Sequence, residues 1–302
     1  MVKRFLTLAA AAGAAASLTS AALAADPVPF PSPTTSPVFV AANTVTPTGA
    51  ASNYFAPGST VVFRAYAVDR KTKKVLAAKD VKYFYVTIPN QPNVKLKYDP
   101  KAAGATSHEP WVGTWTVPSS YPAGVVAIKV LVKTNAKRIG MFVQLPITTA
   151  QLTISAKPPA YPPGAPAAVA ATVPEKADVS LYVDSVNGSR PVGAAVRPVG
   201  CSQTNVYKRG EQVVFRAWGS ENASGAVLST DNIDSAVASI PGQADLKLGW
   251  GAHGTAGSQV FFWAGAWVIP ASYPLGDAVV KLTFKTDAGK VGTFNYAITV
   301  IP

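Results

Sequence analysis

The chain has 302 residues, 48% of them hydrophobic and only 14% charged, with a formal net charge of +12. That length is enough for two domains of common size, each able to bury a core. A single cysteine, Cys201, excludes a framework of intramolecular disulfides, so packing alone must hold the fold.

The N-terminus reads as an export signal. Lys3 and Arg4 precede an uncharged, alanine-rich stretch from Phe5 to Leu23, and Ala22-Leu23-Ala24 supplies an A-x-A cleavage pattern. Residues 1–24 are therefore predicted to be a cleaved signal peptide, with an uncleaved anchor as the alternative. No later apolar run reaches the roughly 18 residues needed to span a bilayer. No cysteine follows the cleavage site for lipid attachment, and the closing "YAITVIP" offers no anchoring tail. The expectation is an exported protein, periplasmic or extracellular, with no transmembrane segment after cleavage. A proline-rich leader follows at residues 25–36.

From there the chain states itself twice. Residue n placed over residue n + 152 aligns without a gap across about ninety residues. "VVFRAYA" (61–67) falls on "VVFRAWG" (213–219), and "WVGTWTVPSSYPAG" (111–124) on "WAGAWVIPASYPLG" (263–276). A solenoid repeats every 20–50 residues, so this is duplication of a whole domain. Domain 1 is placed at 37–156 and domain 2 at 179–302, joined by a Pro/Ala-rich linker at 157–178 that composition makes a semi-rigid spacer.

Each copy reads as short strands between Pro, Gly, Asn and Asp, with no sustained helical period. In copy two Ala278, Val280, Leu282 and Phe284 alternate with polar residues, and copy one keeps Ile128, Val130 and Val132 inward with Lys129 and Lys133 outward. After Phe142 the alternation departs from that after Phe294 and Pro146 intervenes, which predicts a bulge or an edge strand. "VSLYVDSV" before Asn187-Gly188 is predicted to add an extra strand and hairpin to copy two. The order "PGSTVVFRA", "WTVPSSYPAG", "VAIKVLVKT" resembles the B, E and F strands of immunoglobulin-like modules of exported bacterial proteins, of the polycystic-kidney-disease and fibronectin-III-like kind. The resemblance implies an all-β fold of two tandem Ig-like antiparallel β-sandwiches, and no particular activity.

The repeated phrase has two readings. Trp111, Gly113, Trp115 and Val117 share one strand face, which packs as core with Tyr121 at the following corner. Alternatively Trp111, Trp115, Trp263 and Trp267 form aromatic platforms for sugar rings. Few catalytic constellations can be assembled. His108 and His253 are not equivalent in the two copies, and no haem, nucleotide or nucleophile-elbow motif is present. His108-Glu109 reads as an ordinary exposed loop and Cys201 as a small buried residue or idle thiol. No enzyme, metal or cofactor is expected.

Charge separates the copies. Residues 25–157 hold 15 Lys and Arg against 5 Asp and Glu, whereas residues 158–302 hold 10 of each. In an Ig-like sandwich the B–C and F–G loops share one end. That end of copy one carries Arg70, Lys71, Lys73, Lys74, Lys137 and Arg138, where copy two has "SENASG" (220–225) and "DAGK" (287–290). The tip is either a solvated loop or an anion-binding site. The expected protein is a binding or scaffolding component of the cell envelope. Its partner is an acidic envelope polymer, an anionic lipid surface or an acidic protein, with no sequence-specific nucleic-acid recognition. The alternatives are an accessory subunit that docks an exported enzyme, and a carbohydrate-binding module.

Overall fold

Strands form where β-branched and aromatic residues alternate with polar ones, and the turns between them fall on Gly, Pro, Asn and Asp. A computed structural model describes residues 36–100, 109–145, 151–159, 176–188, 200–253 and 259–302. The predicted signal peptide, nearly all of the leader, most of the linker, His108 and Pro146 lie outside the described residues. The first half supplies β1 (Val38–Val45), β2 (Thr60–Asp69), β3 (Val81–Thr87), β4 (Val94–Lys95), β5 (Trp111–Thr116), β6 (Lys129–Thr134) and β7 (Ile139–Val143). The second supplies β8 (Val179–Asn187), β9 (Gln212–Glu221), β10 (Ile233–Ser239), β11 (Leu246–Lys247), β12 (Gly249–His253), β13 (Val260–Val268), β14 (Gly276–Thr286) and β15 (Val291–Ile301). Among the described residues no helix is long and apolar enough to cross a membrane.

In the second half two sheets face each other. One runs β8-β9-β13-β12; the other runs β15-β14-β10-β11, with the short strand Val206–Lys208 parallel to β15 at its edge. Trp263 of β13 meets Phe284 of β14 edge-on, ring centroids 5.8 Å apart, and Phe215 of β9 meets Tyr296 of β15 at 6.5 Å. The first half repeats the pairings, except that β1 touches both β2 and, through Val38 and Gly140, β7, linking the two layers into one sheet. The protein is therefore a nearly all-β sandwich-like structure.

Two details differ from the sequence-based expectation. The strand opening copy two is not an addition. β8 pairs with β9 from Val179↔Glu221 as β1 pairs with β2 from Val38↔Asp69, so β8 takes the place of β1. The mismatch after Phe142 is an interrupted strand. Thr153–Ile154 lies parallel to Tyr54–Phe55 as Thr299–Val300 lies beside Val206–Tyr207, six residues further along the chain than the repeat dictates. β15 runs unbroken to Ile301, while β7 stops at Val143.

The halves lie against each other, and one apolar cluster runs through both. Phe142 packs on Tyr182 at 5.7 Å and Tyr66 on Phe294 at 6.4 Å, so each half contributes rings to the other's core. β1 and β8 are buried along their whole lengths because both of their faces are covered. The contact is close to two-fold. Ala51 donates its N–H to Asn205 Oδ1 at 2.8 Å, and the equivalent Gln203 N–H donates to Asn53 Oδ1 at 3.0 Å. Reciprocal contacts between equivalent positions are the signature of an isologous interface.

Candidate functional site

The basic tip is built where β2 and β6 end. The chain turns after Asp69 and after Thr134, and the two turns touch. The Asn135 side chain donates to Lys79 O at 2.8 Å, and Arg138 Nε donates to Asp69 Oδ2 at 2.5 Å. Both turns need a left-handed residue, and lysine fills it each time: Lys73 at φ 59° and Lys137 at φ 64°.

The six cations have three fates. Arg70 is buried against the second half: Nη1 donates to Ser220 Oγ at 2.8 Å, and its guanidinium lies 5.6 Å from the Phe39 ring centroid. Burial pushes the Arg70 guanidinium down to about 10. Lys73 also crosses between the halves, pairing with Asp178, which its hydrogen bond holds below the usual carboxylate value. Lys74 pairs with Asp80 at 2.7 Å and Arg138 with buried Asp69, both within the first half. Burial raises the Asp80 value, but hydrogen bonds from Lys74 and the Ala77 N–H outweigh it and the net shift is downward. Lys71 and Lys137 stay exposed and make no ion pair among the described residues. Two of the six cations thus serve the junction, two are paired within the first half and two face solvent, and the expectation of six cations gathered at one tip needs that correction.

The tryptophans need one as well. Trp111, Trp115 and Trp263 are 5%, 7% and 5% exposed. Trp111 Nε1 donates to Leu76 O at 3.0 Å, and Trp263 Nε1 to the equivalent Leu228 O at 2.8 Å. Trp115 and Trp267 meet Tyr121 and Tyr273 edge-on at 5.1 and 5.0 Å, and those tyrosines donate to Pro89 O and Pro241 O at the corners. At that burial Trp111, Trp115 and Trp263 expose too little ring for a sugar to stack on, and Trp267 is partly buried against the core.

No family model matches this chain, and no curated protein does either. Among solved structures it is similar to SGBP-B of the Bacteroides ovatus mixed-linkage glucan utilization locus, in complex with a mixed-linkage heptasaccharide. The identity is 12% and the TM-score 0.19, over 86% of this chain and 44% of that one. The chain spans less than half the length of that neighbour.

Sequence reasoning missed the buried polar seam between the halves. Glu109, read as an exposed loop residue, is 2% exposed and accepts from Asn43 Nδ2 at 2.9 Å. Gln203 Nε2 donates to Asn43 Oδ1 at 3.1 Å from across the junction. In the second half Arg216 forms a two-pronged pair with Asp184, Nε to Oδ1 at 2.7 Å, with both side chains buried. Burial lowers the Arg216 value, but the charge of Asp184 and its hydrogen bonds together outweigh it and leave Arg216 more firmly protonated than usual. One signal was available: an arginine interrupts the apolar run of both "VVFRA" repeats, and a buried arginine requires a partner. Among the described residues no three His, Cys, Asp or Glu side chains gather as a metal site.

Proposed function

We propose that this is an exported, non-catalytic binding or scaffolding protein of the cell envelope, made of two Ig-like modules, whose first module presents cations to an acidic partner. That partner is an envelope polymer, an anionic lipid surface or an acidic protein. The strand order β8-β9-β13-β12 facing β15-β14-β10-β11 supports the Ig-like reading, since it follows the A-B-E-D and G-F-C arrangement of that fold.

One observation carries the functional reading. The two tip turns of the second half use Gly225 (φ 75°) and Gly289 (φ 76°) where the first half uses Lys73 and Lys137. Glycine adopts this conformation freely, whereas any other residue gives up about 1–2 kcal/mol. The backbone favours glycine at both positions, so a lysine held there in each turn is explained by what its side chain does. Lys73 holds the junction; Lys137, with Lys71, faces solvent.

The test uses the full mature chain, retained on immobilised polygalacturonate or polyphosphate as salt is raised. Lys71→Ser with Lys137→Gly leaves the paired cations intact and is expected to lower the salt concentration at which the protein elutes. Retention that ignores salt, an elution point unchanged by the two substitutions, or no binding to either polymer overturns the reading.

A further inference from the structure

The outward face of the sheet β4-β3-β6-β7 is the second place where the halves have diverged. Phe84, Val86, Val130 and Val132 point into the core, so the residues between them point out. Register sets these in rows across the strands. Lys95, Tyr85, Leu131 and Met141 form one row; Tyr83, Lys133 and Ile139 form the next; Lys129 and Val143 stand in a third. The Tyr83 and Tyr85 rings lie 5.3 Å apart and tilted by 37°. None of these outward positions carries an acid.

The equivalent rows of the second half have the same register and the same three lysines. Lys247 precedes Val237, Thr283 and Thr293; Ser235 precedes Lys285 and Val291; Lys281 pairs with Asn295. Both tyrosines, the leucine and the methionine are gone, and Asp234 pairs with Lys285 at 2.9 Å. The first half has Lys82 in place of that aspartate. One scaffold therefore carries an aromatic and aliphatic strip with lysines that make no ion pair among the described residues, and the other carries a polar strip with a lysine tied down. Core packing does not require the difference, because every changed residue points outward.

We infer that this face of the first half, centred on Tyr83, Tyr85 and Leu131, binds a chain of an acidic polysaccharide. The inference rests on the proposed binding function and names its surface and ligand chemistry. The apolar rows offer ring and aliphatic surface to the C–H faces of sugars. Lys82, Lys95, Lys129 and Lys133 stand around them to meet carboxylate or sulfate groups. Size argues against a protein occupant. Four strands about 4.8 Å apart and three rows about 6.8 Å apart make a face on the order of 300–400 Å², about half of the roughly 800 Å² per partner of a stable protein interface. Scarcity of exposed apolar surface argues against a bilayer. Ile139 is the one large hydrophobic of these rows that is exposed, while Tyr83, Tyr85, Leu131, Met141 and Val143 are half-buried and Lys82, Lys95 and Lys129 are exposed. One exposed aliphatic side chain gives little to insert, but a polymer can lie along the strip.

The experiment compares the full mature chain with the variant Tyr83→Ser, Tyr85→Val, Leu131→Thr, Met141→Thr, which keeps every lysine. The second half already carries these residues at the same register, so the variant is expected to melt as the wild type does. Affinity for polygalacturonate is expected to fall on the order of tenfold, from the loss of apolar contact area alone. The converse change, Asp234→Lys with Ser235→Tyr, Val237→Tyr, Thr283→Leu and Thr293→Met, is expected to add a second binding equivalent. Salt-sensitive binding that is equal in wild type and variant overturns this face and leaves the proposed function standing. Equal affinity for neutral dextran overturns the acidic chemistry. Variant-sensitive binding to phosphatidylglycerol vesicles or single-stranded DNA, without binding to polygalacturonate, overturns the polysaccharide. Binding to no polyanion overturns the functional reading beneath it.

Discussion

The two halves share a backbone down to its unusual torsions and differ in what they hang on it. Gly58 and Gly210, Gly124 and Gly276, Asn90 and Gly242, Gly49 and Cys201 all adopt positive φ at equivalent positions, as the tip residues do. Trp111 and Trp263 send their indole N–H to equivalent carbonyls, and Tyr121 and Tyr273 close equivalent corners. These inward and turn-forming features specify the fold, so neither copy has lost them. The outward rows of β3, β6 and β7 do not enter the core, and Lys71 and Lys137 of the tip turns face solvent. Divergence there reports on what each half meets outside itself.

The largest effect is expected where the halves solve one internal problem differently. Arg64 and Arg216 occupy equivalent buried positions; the first stands opposite Asn43 with Glu109 nearby, the second opposite Asp184. Asp184→Ala strands a guanidinium on which no second carboxylate acts among the described residues, which costs about 3–5 kcal/mol. Asn43→Ala leaves Glu109 and Gln203 without one neutral partner, a loss of about 1–3 kcal/mol. Urea unfolding of the two variants measures both. Equal losses mean that the two arginines are held in the same way and that the comparison fails.

A smaller effect separates the tips. Gly289→Lys forces a side chain into a left-handed turn and is expected to destabilise by about 1–2 kcal/mol. Lys137→Gly removes that strain but loosens the unfolded chain, which returns about 0.4–1 kcal/mol, so it is expected to be neutral or slightly stabilising. Thermal melts of both variants check the sign. If Lys137→Gly destabilises by 1 kcal/mol or more, Lys137 is structural and loses its place in the functional reading.

The sequence made the strands, the duplication and the corners legible, because alternation and the period of 152 residues are local or self-referential signals. Lys129 and Lys133 are outward-facing in the structure as the alternation of their strand requires. The relation between the halves was not legible. Nothing in the linker's composition shows that Tyr66 and Phe294, or Phe142 and Tyr182, meet across it. A buried Phe looks the same whether its neighbours belong to its own sandwich or to another. Arg70 shows the same limit from the charged side. In a run of basic residues it reads as solvated, and only the position of Ser220 reveals that it is buried. Tyr83 and Tyr85 alternate with Phe84 and Val86 and stand where the second copy has Ser235 and Val237, so their outward position is legible in the alternation.

The smallest expected effect tests whether the junction is as asymmetric in charge as in sequence. Asp178 accepts from Lys73 across the halves, and its backbone carbonyl accepts from Asn222 N at 2.8 Å. The position equivalent to Asp178 in the first half is Pro37, whose carbonyl accepts from Arg70 N at 3.1 Å but which has no carboxylate. At this pair of equivalent positions only the second half carries a group that responds to acid. The hydrogen bond from Lys73 lowers the Asp178 value in the folded protein, while the unfolded chain keeps a value of about 3.9. The unfolded state then binds the proton more readily. The stabilisation is complete above about pH 4 and is lost as the pH falls through the lowered folded value. Both side chains are largely exposed, 38% and 48%, so water and salt screen the pair to a few tenths of a kcal/mol. Asp178→Asn is expected to melt slightly below the wild type at pH 6 and to match it at pH 2, with the gap closing also at 1 M salt, where the screening length is about 3 Å. A gap that persists at pH 2 assigns the role of Asp178 to its backbone and shape, and the junction is then held by packing on both sides alike.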